Sequence, residues 1–203
     1  YGATSFVGQI ITHYIAEQYG CDNLRWAIAG RSMAKLMDLK QSLGSSAGNL
    51  ALLTADANDL EALTTLCHST QVILSTVGPY DLYGEPLIQA CCQTGTDYCD
   101  LTGEMHWIKR MQEKYSEVAV NSGARIVHAC GFDSIPSDCG VHFLQKHSAK
   151  NHGKACSKIN MGVKRISGDL SGGTIASMLN MTKQIIKDPS LRKELGNPYS
   201  CCP

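Results

Sequence analysis

The chain is 203 residues long, 43% hydrophobic and 18% charged, with 18 basic and 18 acidic side chains that cancel to a formal net charge of zero. That balance, with no single-sign block, argues against a nucleic-acid surface, and no apolar run approaches the ~18 residues of a membrane span. Ten cysteines lie mostly in apolar stretches, as in Val-His-Ala-Cys130, and show no C-x-x-C and no zinc-ligand spacing with histidine. They read as small core residues of a reduced, intracellular protein without a structural metal or a disulfide framework.

The chain opens on Tyr1-Gly-Ala-Thr-Ser-Phe-Val-Gly8, a glycine-rich turn that runs into an apolar face of Val7, Ile10, Ile11, Tyr14 and Ile15 at helical spacing. Gly20 ends that helix. Leu24 to Ala29 reads as a strand ending at Gly30-Arg31, and Ser32 caps a second helix that stops at Gly44. A strand at Leu50–Thr54, a helix from Asn58 to His68 and a buried-type strand at Gln71–Thr76 follow. Gly78-Pro79 marks a turn, and Pro86 suits the first turn of a helix ending at Gly95. Strand Thr96–Leu101, helix His106–Ser122 and strand Ala124–Ala129 complete the alternation. Strand–helix alternation with short loops predicts an α/β fold with a doubly wound, mostly parallel sheet.

Beyond Gly131 the rhythm changes. A helix is expected over Ser137–His147, and the polar stretch His147–Lys154 marks a boundary. A strand at Lys158–Lys164 and a helix after Ser171-Gly-Gly, broken by Asp188-Pro189, then read as the beginning of a second, α+β unit. The organisation expected is a nucleotide-binding domain over 1–150 and an incomplete second domain over 151–203.

Gly2-x-x-Ser5-x-x-Gly8 has the spacing of a dinucleotide fingerprint with serine in its middle glycine slot. Gly2 would make the tight turn, Ser5 would meet a phosphate, and Gly8 would allow close helix–sheet packing. Serine there requires a negative φ. At the end of the strand Leu24–Ala29 an NAD site wants a carboxylate for the ribose. Gly30-Arg31-Ser32 with Lys35 supplies a guanidinium, a hydroxyl and an amine instead, which favours the 2′-phosphate of NADP(H). Asp56, after the strand Leu50–Thr54, could reach the adenine amine or simply cap a helix. Thr76, Val77, Gly78 and Pro79 end the next strand, where the nicotinamide half should pass. Tyr80, Asp100, Glu104 and Asp133 stand on the same rim as candidates to donate or relay a proton, with Glu104 also readable as a cap. His106 and His128 lie nearby, and each reads as structural more readily than catalytic. No Tyr-x-x-x-Lys relay is present, which keeps a non-catalytic NADP-binding sensor or interaction module open.

Taken together, Gly2–Gly8, Trp26-Ala-Ile-Ala-Gly-Arg31, Val77-Gly-Pro-Tyr80 with Tyr83-Gly-Glu-Pro86, Tyr98-Cys-Asp-Leu-Thr-Gly-Glu104, Gly131-Phe-Asp-Ser-Ile-Pro-Ser-Asp138 and Ser171-Gly-Gly-Thr174 resemble the saccharopine dehydrogenase-like oxidoreductases, including the bacterial trans-acting enoyl reductases. The resemblance implies an NADP-binding Rossmann domain followed by an α+β domain that supplies much of the substrate pocket. It places Gly2, Thr4, Ser5, Phe6, Val7 and Gly8 on the cofactor loop and Arg31 at the 2′-phosphate. The family reduces either C=N bonds of amino-acid-derived substrates or C=C bonds of lipid-linked acyl chains. The Asp-Leu-Thr-Gly-Glu block with Trp107 looks closer to the enoyl branch. Lipid-droplet or peripheral membrane association and a homodimer through the second domain are also compatible with the family. Members carry an extra strand before the glycine turn and more chain after residue 203. In the usual strand order the first strand is central, so its loss would leave two unpaired edges mid-sheet. The expectation is therefore a native chain that starts earlier, with a β-branched strand ending at Tyr1.

Overall fold

The computed structural model describes residues 1–203 except Asp22, Asp169, Leu170, Pro198, Cys202 and Pro203. Of the ten cysteines, Cys202 thus lies outside the described residues.

Strands β1 (Ala27–Gly30), β2 (Ala51–Thr54), β3 (Val72–Ser75), β4 (Asp97–Asp100) and β5 (Ile126–Val127) alternate with helices α1 (Phe6–Tyr19), α2 (Met33–Ser42), α3 (Leu60–His68), the single turn α4 (Tyr80–Tyr83), α5 (Glu85–Thr94) and α6 (Met105–Ser122). All pairings are parallel, as the alternation predicts, but they form two sheets: β1 with β2, and β3-β4-β5. The local signals act where expected. Ser32 Oγ accepts the Lys35 N–H to start α2, Asp59 caps α3 through the Ala62 N–H, and Gly95 and Gly123 close α5 and α6 in the left-handed region.

The larger core lies between β3-β4 and helices α3, α5 and α6. Leu63, Cys67, Ile88, Ala90, Cys91, Cys92 and Trp107 are fully buried there, with Cys67 Sγ and Cys91 Sγ 3.6 Å apart. A smaller one packs Ile28, Leu36, Leu39 and Leu50 between β1 and α2. Burying each such aliphatic side chain stabilises the fold by roughly 1.5–3 kcal/mol.

The two sheets face one another across Tyr1. Its N–H group donates to Leu74 O (2.7 Å) and its carbonyl accepts from Thr76 N (2.9 Å) on the β3 side. Gly2 N donates to Ala29 O (2.9 Å) on the β1 side. This is the ladder of a parallel strand one residue long. Below it a cavity of about 570 Å³ separates the unpaired edges of β1 and β3, with Ile11, Leu66, Ala27, Ala29, Val72 and Leu74 in its wall. Reading across it, the order β2-β1-Tyr1-β3-β4-β5 follows the nucleotide-fold order, with Tyr1 in the place of the central strand.

After β5, α7 runs over Ile135–His152, longer at both ends than the spacing suggested, and Gly153 ends it. The strand expected at Lys158–Lys164 does not form: the segment has no regular secondary structure, and Met161, Val163 and Ile166 stand 66%, 59% and 78% exposed. A strand needs a partner, and no described strand pairs with this segment. Helices α8 (Gly172–Lys187) and α9 (Ser190–Leu195) follow, and neither α7 nor α8 buries a residue. Cys130 and Cys139 are exposed, contrary to the reading of cysteine as core here, because β5 is only two residues long and α7 stands off the core. Among the described residues no helix is long and apolar enough to cross a membrane.

Candidate nucleotide site

The glycine turn is built so tightly that glycine is obligatory at both ends. Gly2 has φ +83°, and a Cβ on it would lie 2.7 Å from Val77 Cγ2 and 2.8 Å from Thr76 Oγ1. A Cβ on Gly8 would lie 2.3 Å from Gly2 O, so the start of α1 rests directly on the turn. Ser5 sits at φ −69°, ψ 164°, the negative φ that serine requires in a glycine slot. It is the N-cap of α1: its Oγ accepts Gly8 N (3.0 Å) and meets Thr76 Oγ1 (3.0 Å), while its N–H turns inward to Gly2 O. Phe6 and Val7 remain as the first-turn donors aimed out of the helix end, where an anion is favoured. Phe6 is 68% exposed beside them. Thr4 borders Gly30, whose Cβ position is 3.9 Å from Thr4 Oγ1, so the turn and the end of β1 form one rim.

Along that rim Arg31 and Lys35 are exposed and Ser32 half-buried. Tyr1 joins the glycine turn to the end of β2: its hydroxyl donates to Ala55 O (3.2 Å) beside Asp56. Burial pushes this phenol up to about 12, with the Asp56 carboxylate adding to the rise and the Arg31 guanidinium opposing it, so both charges lie within electrostatic reach of one hydroxyl. Asp56 Oδ1 accepts the Asn58 N–H (2.9 Å) in the loop before α3, whose N-cap is Asp59 rather than Asp56, and Asp56 stays solvent-facing. Thr76 and Val77 back the glycine turn, and Gly78-Pro79 is a cis peptide leading to α4.

The other candidates divide by environment. Tyr80 is buried and its hydroxyl donates to Ser75 O (3.0 Å); burial first, then the nearby Asp100 and Glu104 carboxylates, hold the phenol well above its usual range. Glu104 is 3% exposed and precedes α6, yet it caps a different helix: Oε1 and Oε2 accept the Tyr80 and Asp81 N–H groups (3.0 Å each) at the start of α4. Asp133 is exposed on the loop before α7. The rim carboxylates therefore do not form one cluster.

Asp100 is the most elaborately held. At 1% exposure, its Oδ1 accepts from Thr102 N (3.1 Å) and Ala129 N (3.0 Å), and its Oδ2 from Tyr98 OH (2.9 Å). His128 Nδ1 lies 2.7 Å from the same Oδ2. Four groups on a buried carboxylate satisfy it as an ion. Ala129, next to His128, has φ +57°, an uncommon conformation for a residue with a Cβ that costs about 1–3 kcal/mol; it turns the Ala129 N–H onto Asp100. The His128 ring packs edge-on to Trp107 (5.1 Å) and Tyr98 (5.8 Å). Sequence spacing carried no sign of this dyad, because Asp100 and His128 end adjacent strands and meet only through the sheet register. Asp81, whose side chain is 4% exposed, also escaped notice.

The residues fit a pyrophosphate and a 2′-phosphate: a cradle that excludes Cβ atoms, a helix end, and two exposed cations at the neighbouring strand. Comparison with known proteins agrees. Residues 1–127 match the family model described as the saccharopine dehydrogenase NADP binding domain. A Mycobacterium tuberculosis protein carrying the provisional name of trans-acting enoyl reductase is 44% identical over 204 residues, covering 100% of this chain and 48% of that protein. The trans-acting enoyl reductase of Mycobacterium ulcerans is 39% identical over 201 residues, covering 98% of this chain and 48% of its own. The chain thus spans about half the length of the curated relatives it matches. An apo saccharopine dehydrogenase (L-Glu forming) from Saccharomyces cerevisiae shares the fold at TM-score 0.58 and 20% identity, over 72% of this chain and 30% of that one. By its matched residues, its parallel α/β architecture and its glycine cradle, the chain belongs to the saccharopine dehydrogenase NADP-binding domain family.

Proposed function

We propose that this chain is the cofactor-binding half of an NADP(H)-dependent oxidoreductase that reduces a carbon–carbon double bond in a hydrophobic, lipid-linked acyl substrate. The observation that carries the cofactor part is the pairing of the Gly2–Gly8 cradle with Arg31 and Lys35 at the end of the adjacent strand. The substrate class draws on the names of the mycobacterial relatives. When bound, the nicotinamide supplies a hydride.

The chain's own residues do the rest. Phe6 and Val7 N–H groups and the α1 dipole receive the pyrophosphate, and Arg31, with Ser32 and Lys35 beside it, receives the 2′-phosphate. Thr76–Pro79 forms the wall along which the nicotinamide half lies. For proton delivery the buried Tyr80 hydroxyl and the doubly engaged Glu104 are poor donors, since each is committed to a structural partner. Asp100 is better placed to act through His128. With Nδ1 held by the carboxylate, the ring exchanges its proton at Nε2, the orientation that an aspartate imposes on a catalytic imidazole. Asp133, solvent-facing, could feed the same rim from outside.

The test is NADPH oxidation with a trans-2-enoyl thioester, and with an imine formed from an amino acid and a ketoacid, on the full-length protein and its His128→Gln and Asp133→Asn variants. Turnover of the enoyl substrate that falls at least tenfold in His128→Gln supports the reading. Turnover of the imine alone moves the protein to the C=N branch. NADPH binding without turnover of either substrate returns it to a binding module.

A further inference from the structure

Helix α8 buries no residue, so apolar packing does not fix it to the nucleotide-binding half. Among the described residues, its hydrogen bonds to Glu104 and Asp81 run along one face. Ser177, Asn180 and Gln184 recur at i, i+3 and i+7, which aligns them along the helix. Ser177 Oγ donates to Glu104 Oε1 (2.7 Å), and Asn180 Nδ2 donates to Asp81 Oδ2 (3.0 Å), the oxygen that also receives Gln184 Nε2. Asp81 Oδ1 pairs with Arg110, and His106 Nε2 approaches it at 3.9 Å.

Glu104 sits at the centre. It is 3% exposed, and its protein donors in this structure are Tyr80 N–H, Asp81 N–H and Ser177 hydroxyl, all neutral. A buried carboxyl group held by neutral donors is sensitive to the loss of any one of them, because the acceptor oxygen is then left unsatisfied. Releasing α8 removes one donor from Glu104 and two from Asp81, and both residues anchor α4. The segment just before α4, Thr76–Pro79, is the one that touches the glycine turn through Val77 on Gly2 and Thr76 on Ser5.

We propose that Glu104 and Asp81 are positioning residues through which the docking of α8 sets the loop Val77–Pro79, and with it the grip on the nicotinamide half of NADP(H). The proposal rests on the NADP reading above for its ligand, and on the contacts alone for its mechanical part. The two states are α8 docked and α8 released, and a cofactor that needs the loop in place favours the docked one. A helix of the second region thereby reports on the nucleotide site, and the adenosine half, at Arg31 and β1, stays outside the coupling.

The experiment uses Ser177→Ala/Asn180→Ala/Gln184→Ala, three changes on half-buried helix positions that leave the nucleotide residues intact. Hydrogen exchange at the Tyr80 and Asp81 amides is read first, without ligand. The proposal expects these two to exchange about tenfold faster or more in the triple variant, with the core amides of α5 unchanged. Calorimetry then compares NADPH with adenosine 2′,5′-bisphosphate, which lacks the nicotinamide half. NADPH should weaken about five- to twentyfold and the bisphosphate should not. Unchanged exchange at Tyr80 and Asp81 overturns the mechanical coupling. Faster exchange with equal weakening of both ligands, or of neither, overturns the link to the nicotinamide half. Failure of the bisphosphate to bind the unmodified protein would instead contradict the NADP reading, and the exchange result would still decide whether α8 holds the loop.

Discussion

His128 Nδ1 lies 2.7 Å from Oδ2 of Asp100, at the carboxyl ends of two adjacent parallel strands, with the aspartate 1% exposed and the imidazole braced by Trp107. The contact exists because β4 and β5 pair in the register Tyr98 with Ile126 and Cys99 with Val127, which brings the next residues, Asp100 and His128, side by side. Changing Asp100→Asn replaces one acceptor oxygen by an amide donor among groups that all donate. The expected cost is about 2–4 kcal/mol in denaturant unfolding. Asp100→Asn should also release the ring from its Nδ1–H tautomer, visible in the nitrogen chemical shifts of His128. A stability change under 0.5 kcal/mol would mean that the carboxylate is not the hub it forms here.

Gly8→Ala is expected to abolish nucleotide binding and to destabilise the fold. The added Cβ would meet backbone, Gly2 O at 2.3 Å and Ala3 O at 2.8 Å, so no side-chain rotation relieves it. Gly103→Ala, where a Cβ meets nothing within 4 Å, is the control and should leave binding unchanged. Thermal unfolding with and without NADPH checks both.

Stability should fall on the alkaline side for an identifiable reason. Tyr1, Tyr80 and Tyr98 all have phenols raised above the ordinary value of 10, each chiefly by burial. An acid whose folded-state pKa is raised favours folding in full below its unfolded value, and the benefit is lost as pH climbs from there through the folded pKa. The share of the unfolding free energy that these phenols supply should therefore hold level up to about pH 10 and decline above it. Tyr80→Phe should shallow that decline while lowering stability at neutral pH, since the bond to Ser75 O is lost.

The cavity between β1 and β3 makes a prediction independent of any ligand. Fusing a five-residue, β-branched segment ahead of Tyr1 should extend the one-residue stub, pair both open edges and cover Val72 and Leu74, which are 54% and 37% exposed. The melting temperature should rise by about 5 °C or more. The same segment with two prolines, which cannot donate to the ladder, should give no gain.

Much of the fold was legible in the sequence. The helix starts at Ser32 and Asp59 and the stops at Gly95 and Gly123 are local chemistry, and the alternation alone implied parallel pairing. The gap mid-sheet followed from the strand order. What sequence could not show depended on long-range placement. Lys158–Lys164 has strand-like residues, yet pairing is a long-range event, and no described strand pairs with it. Glu104 looks like the cap of its own helix, and only the folded chain reveals that it caps α4 from 24 residues away. Cys130 reads as core from its apolar neighbours, but β5 ends at Val127 and leaves it exposed in the loop beyond. The Asp100–His128 pair is a product of register, which periodicity does not encode. Arg31 and the glycine turn were legible because each is a local motif at the end of a strand.

The most direct test of the account is calorimetric titration of NADPH and NADH into the same protein and its Arg31→Ala variant. The account predicts that NADPH binds at least about tenfold more tightly than NADH, and that Arg31→Ala erases most of the difference by weakening NADPH alone. Equal affinity for the two cofactors in the unmodified protein would contradict it.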